Sequence, residues 1–237
     1  MKVGLFVTCL VDQFYPQVAW AAVRLLEKAG VEVCFDSSQT CCGQPAYNSG
    51  FWSEARQVSE SLFDLYADVD YIVTPSGSCG AMMRNHLLEI HPDKKPEDVA
   101  SFSNRVVELT DFLTRICGKE DFDASFCARA TYHDSCHALR ELRIHEAPRR
   151  LLRKVRGLEL VELPRADQCC GFGGLFSVKY PDISASMGKD KLCHLKETGA
   201  QVLISSDVSC LMHLDGMMRR QQIPVRTMHI AEVLAKS

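Results

Sequence analysis

Asp70-Tyr71-Ile72-Val73-Thr74, which runs up to Cys79, recurs late in the chain as Gln201-Val202-Leu203-Ile204-Ser205, which runs up to Cys210. Each is an apolar stretch of strand length that ends in small polar residues. A Met-rich helical stretch follows each cysteine, Ala81-Met82-Met83-Arg84 in the first case and Leu211-Met212-His213 through Met217-Met218 in the second. The ends of the two units also match: Val106-Val107-Glu108-Leu109-Thr110-Asp111 and Val225-Arg226-Thr227-Met228-His229 both read as a short strand running into a capped helix. The chain is therefore an internal duplication.

Strand and helix patterns alternate within each copy. In the first, residues 3–8 form an apolar run and residues 17–28 an amphipathic helix closed by Gly30. A strand over 31–35, a helix over 52–66 and the strand at Tyr71 follow. In the second, strands are expected at 130–133, 158–163 and Val202, with helices over 148–155 and 183–198. Alternation of this kind builds parallel sheets with right-handed helical crossovers. The expected fold is α/β, two pseudo-repeated Rossmann-like units with parallel sheets flanked by helices. The first repeat is assigned to residues 1–120 and the second to 121–237, divided by the polar, acidic segment 118–125. Residues 91–103 lengthen the first copy and read as an inserted surface loop with a short helix.

Twelve cysteines in 237 residues are the compositional anomaly. The N-terminus shows no export-signal pattern, and no run nears the roughly 18 apolar residues of a membrane span. The expected compartment is the cytoplasm, where structural disulfides are disfavoured and clustered cysteines read as metal or redox sites. A net charge of −3 gives no global reason to bind nucleic acid. Eight of the cysteines obey the duplication. Cys9 precedes Cys41-Cys42-Gly43 by 31 intervening residues, and 35 separate Gly43 from Cys79; Cys136 precedes Cys169-Cys170-Gly171 by 32, and 38 separate Gly171 from Cys210.

The order of elements puts all eight thiols at the carboxyl ends of strands, where ligand sites of open α/β sheets assemble. The glycine after each pair removes a side chain where the backbone is expected to pass close to a bulky cofactor, and it permits a positive φ. Four thiolates are the usual ligand set of [2Fe-2S] and [4Fe-4S] clusters. Tetrahedral zinc uses the same sulfurs but favours short C-x(2-4)-C hairpins, whereas adjacent cysteines suit several iron atoms better than one small ion. Buried inert thiols explain single cysteines but not a doubled four-point pattern. The candidate ligands are Cys9, Cys41, Cys42 and Cys79 in one repeat and Cys136, Cys169, Cys170 and Cys210 in the other. They would hold one or two iron-sulfur clusters, with [4Fe-4S] the leading type.

This arrangement resembles the cysteine-rich CCG domain, which occurs in pairs in the B subunit of heterodisulfide reductase. Tyr132-His133-Asp134-Ser135-Cys136-His137 and Cys169-Cys170-Gly171-Phe172-Gly173-Gly174-Leu175-Phe176 resemble, more closely, the lactate utilization protein A family. The resemblance covers nearly the whole chain. It implies an iron-sulfur subunit of an L-lactate oxidation complex, with lactate utilization proteins B and C as partners. The reductase pattern ends in C-x-x-C, and here its last position holds Met82 and His213, so the thiol-disulfide reductase reading lacks a fifth thiol in each repeat. A zinc-held or thiol-packed module for partner binding is the third reading.

Met82 is expected in the core and His213 on an exposed helix face. His133 and His137 bracket Cys136 and are candidates for tuning a cluster or capping the loop. Cys34, Cys117, Cys127 and Cys193 have no counterpart in the other copy and are expected simply to pack. Lys179 reads as solvated and His229 as a helix cap. The run Gly171-Phe172-Gly173-Gly174 lacks dinucleotide spacing, and no P-loop, nucleophile elbow, flavin or nicotinamide motif is present.

Overall fold

The computed structural model describes residues 1–236. Two four-stranded sheets repeat one topology. The first contains β1 (Lys2–Leu5), β2 (Glu32–Cys34), β3 (Tyr71–Thr74) and β4 (Val106–Glu108), in the order β2-β1-β3-β4. The second contains β5 (Ser125–Tyr132), β6 (Arg156–Glu162), β7 (Val202–Ser205) and β8 (Arg226–His229), in the order β6-β5-β7-β8. Every pairing is parallel. The α/β fold of two Rossmann-like units with helix-flanked parallel sheets is thus the observed one.

The helices form where the apolar spacing places them. Pro16–Lys28 starts with proline in its first turn, buries Val18, Ala21, Ala22, Leu25 and Leu26 on one face, and ends at Ala29 before Gly30 at φ 79°. The stretch expected as one helix over 52–66 is two, Trp52–Ser59 and Leu62–Leu65. Its counterpart in the second repeat, Pro181–Glu197, is continuous. The inserted stretch contributes the helix Pro96–Arg105, whose Val99 and Phe102 are buried. It is therefore part of the core as well as of the surface. β5 begins earlier than the apolar run at 130, because Ser125 to Arg129 pair with β6 as an alternating, half-exposed strand.

One apolar core spans both sheets. Leu5, Val7, Leu25 and Phe112 belong to the same buried cluster as Tyr132, Leu152, Ile204 and Val233. Two smaller clusters lie on the other sheet faces, one around Phe6, Leu62, Met82 and Phe102, the other around Leu192, Leu203 and Leu214. No helix among the described residues is long and apolar enough to cross a membrane.

Candidate metal centre

The same local device places four of the cysteines. Thr8 and Ser135 leave β1 and β5 in extended conformation and cap helices that open with Cys9 and Cys136; their hydroxyls accept from the amides of Val11 and Ala138, each at 3.3 Å. Ser76 and Asp207 cap the helices after β3 and β7, three residues ahead of Cys79 and Cys210, and accept from the amides of Cys79 (3.3 Å) and Ser209 (3.1 Å). All four thiols therefore sit in first helical turns, where unpaired backbone N–H groups favour negative charge.

The triplets are set by their glycines. Gly43 and Gly171 take φ of 87° and 94°, and a Cβ on either would stand 2.8 Å from the carbonyl oxygen of Ala55 or 2.6 Å from that of Ser184. The space beside these glycines, expected to take a cofactor, is filled instead by the backbone of the helices Trp52–Ser59 and Pro181–Glu197. Each pair is thereby held close against a helix.

All eight cysteines line a single cavity of about 180 Å³. Within the first repeat the Sγ atoms of Cys9 and Cys41 stand 3.8 Å apart, and those of Cys42 and Cys79 stand 3.3 Å apart. In the second, the amides of Gly171 and Phe172 point at the sulfurs of Cys169 (3.4 Å) and Cys170 (3.5 Å). Cys42, Cys79, Cys170 and Cys210 are buried; Cys41, Cys136 and Cys169 are half-buried and Cys9 is exposed.

Charge is distributed alike in the two sets. Hydrogen bonds with Cys42 and Cys9 hold the Cys41 thiol below its ordinary value, and those with Cys136 and Cys170 hold Cys169 down likewise. Cys9, Cys42, Cys136 and Cys170 are pushed up by giving those hydrogen bonds and by burial. Each repeat thus has one thiol drawn down by its neighbours and two pushed up. Four soft donors per repeat match the ligand set of an iron-sulfur cluster, and backbone N–H groups directed at sulfur are its usual second layer.

The repeats interlock at the cavity. The Asp207 carboxylate, buried, accepts from the Ser78 amide (2.9 Å) and Ser76 hydroxyl (3.2 Å) of the other repeat while it caps its own helix. A Cβ on Gly77 would meet Ser135 Oγ at 2.7 Å and Ala138 Cβ at 2.6 Å. His229 caps the helix Ile230–Leu234 in a reciprocal box with Glu232, as its position implied, and its Nε2 also lies 3.1 Å from the Pro75 carbonyl oxygen across the repeat boundary. Burial lowers His229 to about 4. Its counterpart, buried Glu108, caps the helix Leu109–Asp111 and is raised by burial to about 7.

The remaining residues singled out from the sequence divide. Met82 is fully buried. His213 is only partly exposed, with its ring 6.0 Å from that of Phe172 and its Nε2 3.5 Å from Ser184 Oγ, and it does not line the cavity. His137 does line it, with Nδ1 3.6 Å from Cys136 Sγ and Nε2 3.5 Å from Glu141. His133 lies behind the cavity wall, fully buried, and is lowered to about 3 by burial first and the Lys191 charge second. Lys179 is exposed. Cys34 and Cys117 are half-buried, whereas Cys127 and Cys193 are exposed, so the packing reading fails for those two.

Other supports carry no motif. Arg149, 2 % exposed, makes a double hydrogen bond to Asp134 (2.9 and 2.8 Å), contacts Glu162 (3.0 Å), and lies over the Tyr132 ring. It anchors the segment that carries Cys136. Lys191, 1 % exposed, donates to the carbonyls of Arg165 (2.8 Å) and Ala166 (3.2 Å) ahead of Cys169. The serine and aspartate caps could be read from sequence as small polar residues at helix starts; a buried arginine or lysine on an amphipathic helix leaves no such mark.

Comparison with known proteins agrees with this architecture. The model of the cysteine-rich domain family matches twice, over residues 3–84 and 130–215. Lactate utilization protein A of Geobacillus kaustophilus is 51% identical over 99% of this chain and 98% of its own length, and that of Geobacillus thermodenitrificans is 50% identical over the same shares. Lactate utilization protein A 2 of Bacillus cereus is 44% identical over 100% of this chain and 98% of its own. A solved structure of a hypothetical protein from Helicobacter pylori shares the fold with a TM-score of 0.59 at 13% identity; the match covers 100% of this chain and 49% of that one. The chain belongs to the lactate utilization protein A family and is built from two copies of the cysteine-rich domain.

Proposed function

We propose that the chain is the iron-sulfur subunit of a cytoplasmic L-lactate oxidation complex. Cys9, Cys41, Cys42 and Cys79 of the first repeat (residues 1–120) would hold one cluster, and Cys136, Cys169, Cys170 and Cys210 of the second (121–237) another, with [4Fe-4S] the favoured type. When bound, such clusters supply one-electron transfer at a potential tuned by hydrogen bonds and burial. The observation that carries the reading is the convergence of eight thiols, four from each repeat, on one cavity.

The chain's own part is to gather sulfur, direct amides at it and keep water from the buried ligands. The lowered Cys41 and Cys169 thiols ready each set to take up metal, which must displace thiol protons. Oxidation of lactate itself needs a two-electron acceptor, which the absence of flavin and nicotinamide motifs assigns to another subunit. The family name of the relatives supports lactate as the substrate of the whole assembly, and the family resemblance implies lactate utilization proteins B and C as its other members. Thiol-disulfide reduction has less support, because buried Met82 and His213, away from the cavity, stand where the reductase pattern has its last cysteine.

The test is anaerobic purification or reconstitution followed by iron and acid-labile sulfide analysis. Cys42→Ser and Cys170→Ser are each expected to remove about half of both. Zinc at stoichiometry without sulfide would refute the reading.

A further inference from the structure

The two thiol sets share a frame but not a surrounding, and the difference is sharpest three residues before Cys9 and Cys136. Phe6 and His133 occupy equivalent places: each follows the last residue of its strand and donates its amide to the neighbouring strand, Phe6 to the Val73 carbonyl at 2.8 Å and His133 to that of Ile204 at 2.8 Å. Both side chains are fully buried. Phe6 lies in an apolar cluster with Cys42 and Cys79. In the second repeat the same space holds an imidazole.

That imidazole is anomalous. Neither ring nitrogen of His133 has a hydrogen-bond partner among the described residues, although a buried polar group left unpaired costs about 1–3 kcal/mol. One ring nitrogen and the sulfurs of Cys170 and Cys210 lie within 4.8 Å of one another, all three residues buried. A free lone pair set against two buried thiols is a ligand arrangement.

We propose that His133 ligates the metal centre of the second repeat through a ring nitrogen, beside Cys170 and Cys210, so that the two centres differ: one held by sulfur alone, one by sulfur and nitrogen. This rests on the iron-sulfur reading above. It also moves the nitrogen ligand from His213, which the sequence offers at the missing-thiol position, to a residue three places ahead of Cys136. The asymmetry belongs to the side chains, since the two strands share their place in the sheet and their amide hydrogen bond.

The experiment is pulsed electron paramagnetic resonance on the reduced, anaerobically reconstituted full chain, grown with ordinary and with [15N]histidine. Expected is a strong directly bound nitrogen coupling that changes with the isotope in the native protein. It should disappear in His133→Phe and persist in His213→Phe, with sulfide content of the native protein at the level of two clusters. The labelled native protein shows histidine ligation however well a variant folds, and the two variants assign it. Clusters without a histidine nitrogen coupling, or a coupling that survives His133→Phe, would overturn the ligation and leave the cluster reading standing. Native protein that takes up no acid-labile sulfide would overturn the cluster reading and this inference with it.

Discussion

Gly171→Ala tests whether the triplet glycine serves backbone packing. Two costs combine. An L-residue at φ near 94° in place of glycine costs about 1–2 kcal/mol. The new methyl would stand 2.6 Å from the Ser184 carbonyl oxygen and 3.1 Å from Met187 Cβ. Because the first is backbone in the first turn of the helix Pro181–Glu197, the helix or the cysteine pair must shift, which adds about 1–3 kcal/mol. The sum is about 2–5 kcal/mol. Gly174→Ala is the control: its φ is 61°, and nothing lies within 4 Å of the added carbon, so only the conformational cost of about 1–2 kcal/mol applies. Urea unfolding of reduced, metal-free protein followed by circular dichroism measures both. Equal losses for the two variants would refute the reasoning, since the helix carbonyl would then play no part. Gly43→Ala, 2.8 Å from the Ala55 carbonyl, is expected to behave like Gly171→Ala.

Arg149→Met leaves the buried Asp134 carboxylate without its partner and is expected to cost about 3–5 kcal/mol in the same assay, whereas Arg149→Met with Asp134→Leu recovers much of that loss. Asp207→Ala strips the acceptor from the Ser78 and Ser209 amides and is expected to cost about 1–3 kcal/mol, with faster hydrogen exchange at both amides. The pH dependence carries opposed contributions. His229 is lowered from 6.5 to about 4, so unfolding takes up a proton between those values and the stability it contributes is lost as pH falls through them. Glu108 is raised from 4.5 to about 7, so unfolding releases a proton there and stability is lost as pH rises. Thermal midpoints should therefore show His229→Asn gaining on the native protein toward about pH 5, and Glu108→Gln gaining toward about pH 7.5, at up to about 1.4 kcal/mol per pH unit each.

The sequence made the thiol frame legible because that frame is built by local devices. Thr8, Ser76, Ser135 and Asp207 cap within three residues of the cysteines, and Gly43 and Gly171 turn the chain immediately after each pair. What was illegible depends on partners distant in the chain. Arg149 reads as one more charge on an amphipathic helix until Asp134 and Glu162 close around it. The start of β5 was hidden because Phe126 and Ala128 are separated by exposed Ser125, Cys127 and Arg129, a weak alternation inside a polar stretch. His133 was visible as a flank of Cys136, but only its burial and its unpaired ring nitrogens distinguish it from His137.

The shared core explains why the duplication yields one cavity. Apolar side chains of the helix Pro16–Lys28 fall in the same cluster as those of the helix Ile230–Leu234, so each repeat covers apolar surface of the other. Burial of that surface fixes the repeats' relative position, and Asp207 and Gly77 then set the register of their cysteine loops. A scaffold held this way constrains backbone more than it constrains the side chains behind the thiols. Those have diverged: Phe6 faces His133 across the duplication, and Leu62, seven residues beyond Ala55, faces Lys191, seven beyond Ser184, all four of them buried. In a low-dielectric interior an imidazole and an ammonium beside one thiol set act far more strongly than they would in water. One duplicated backbone frame thus sets its two groups of four cysteines in unequal surroundings, apolar beside Phe6 and Leu62 and polar beside His133 and Lys191.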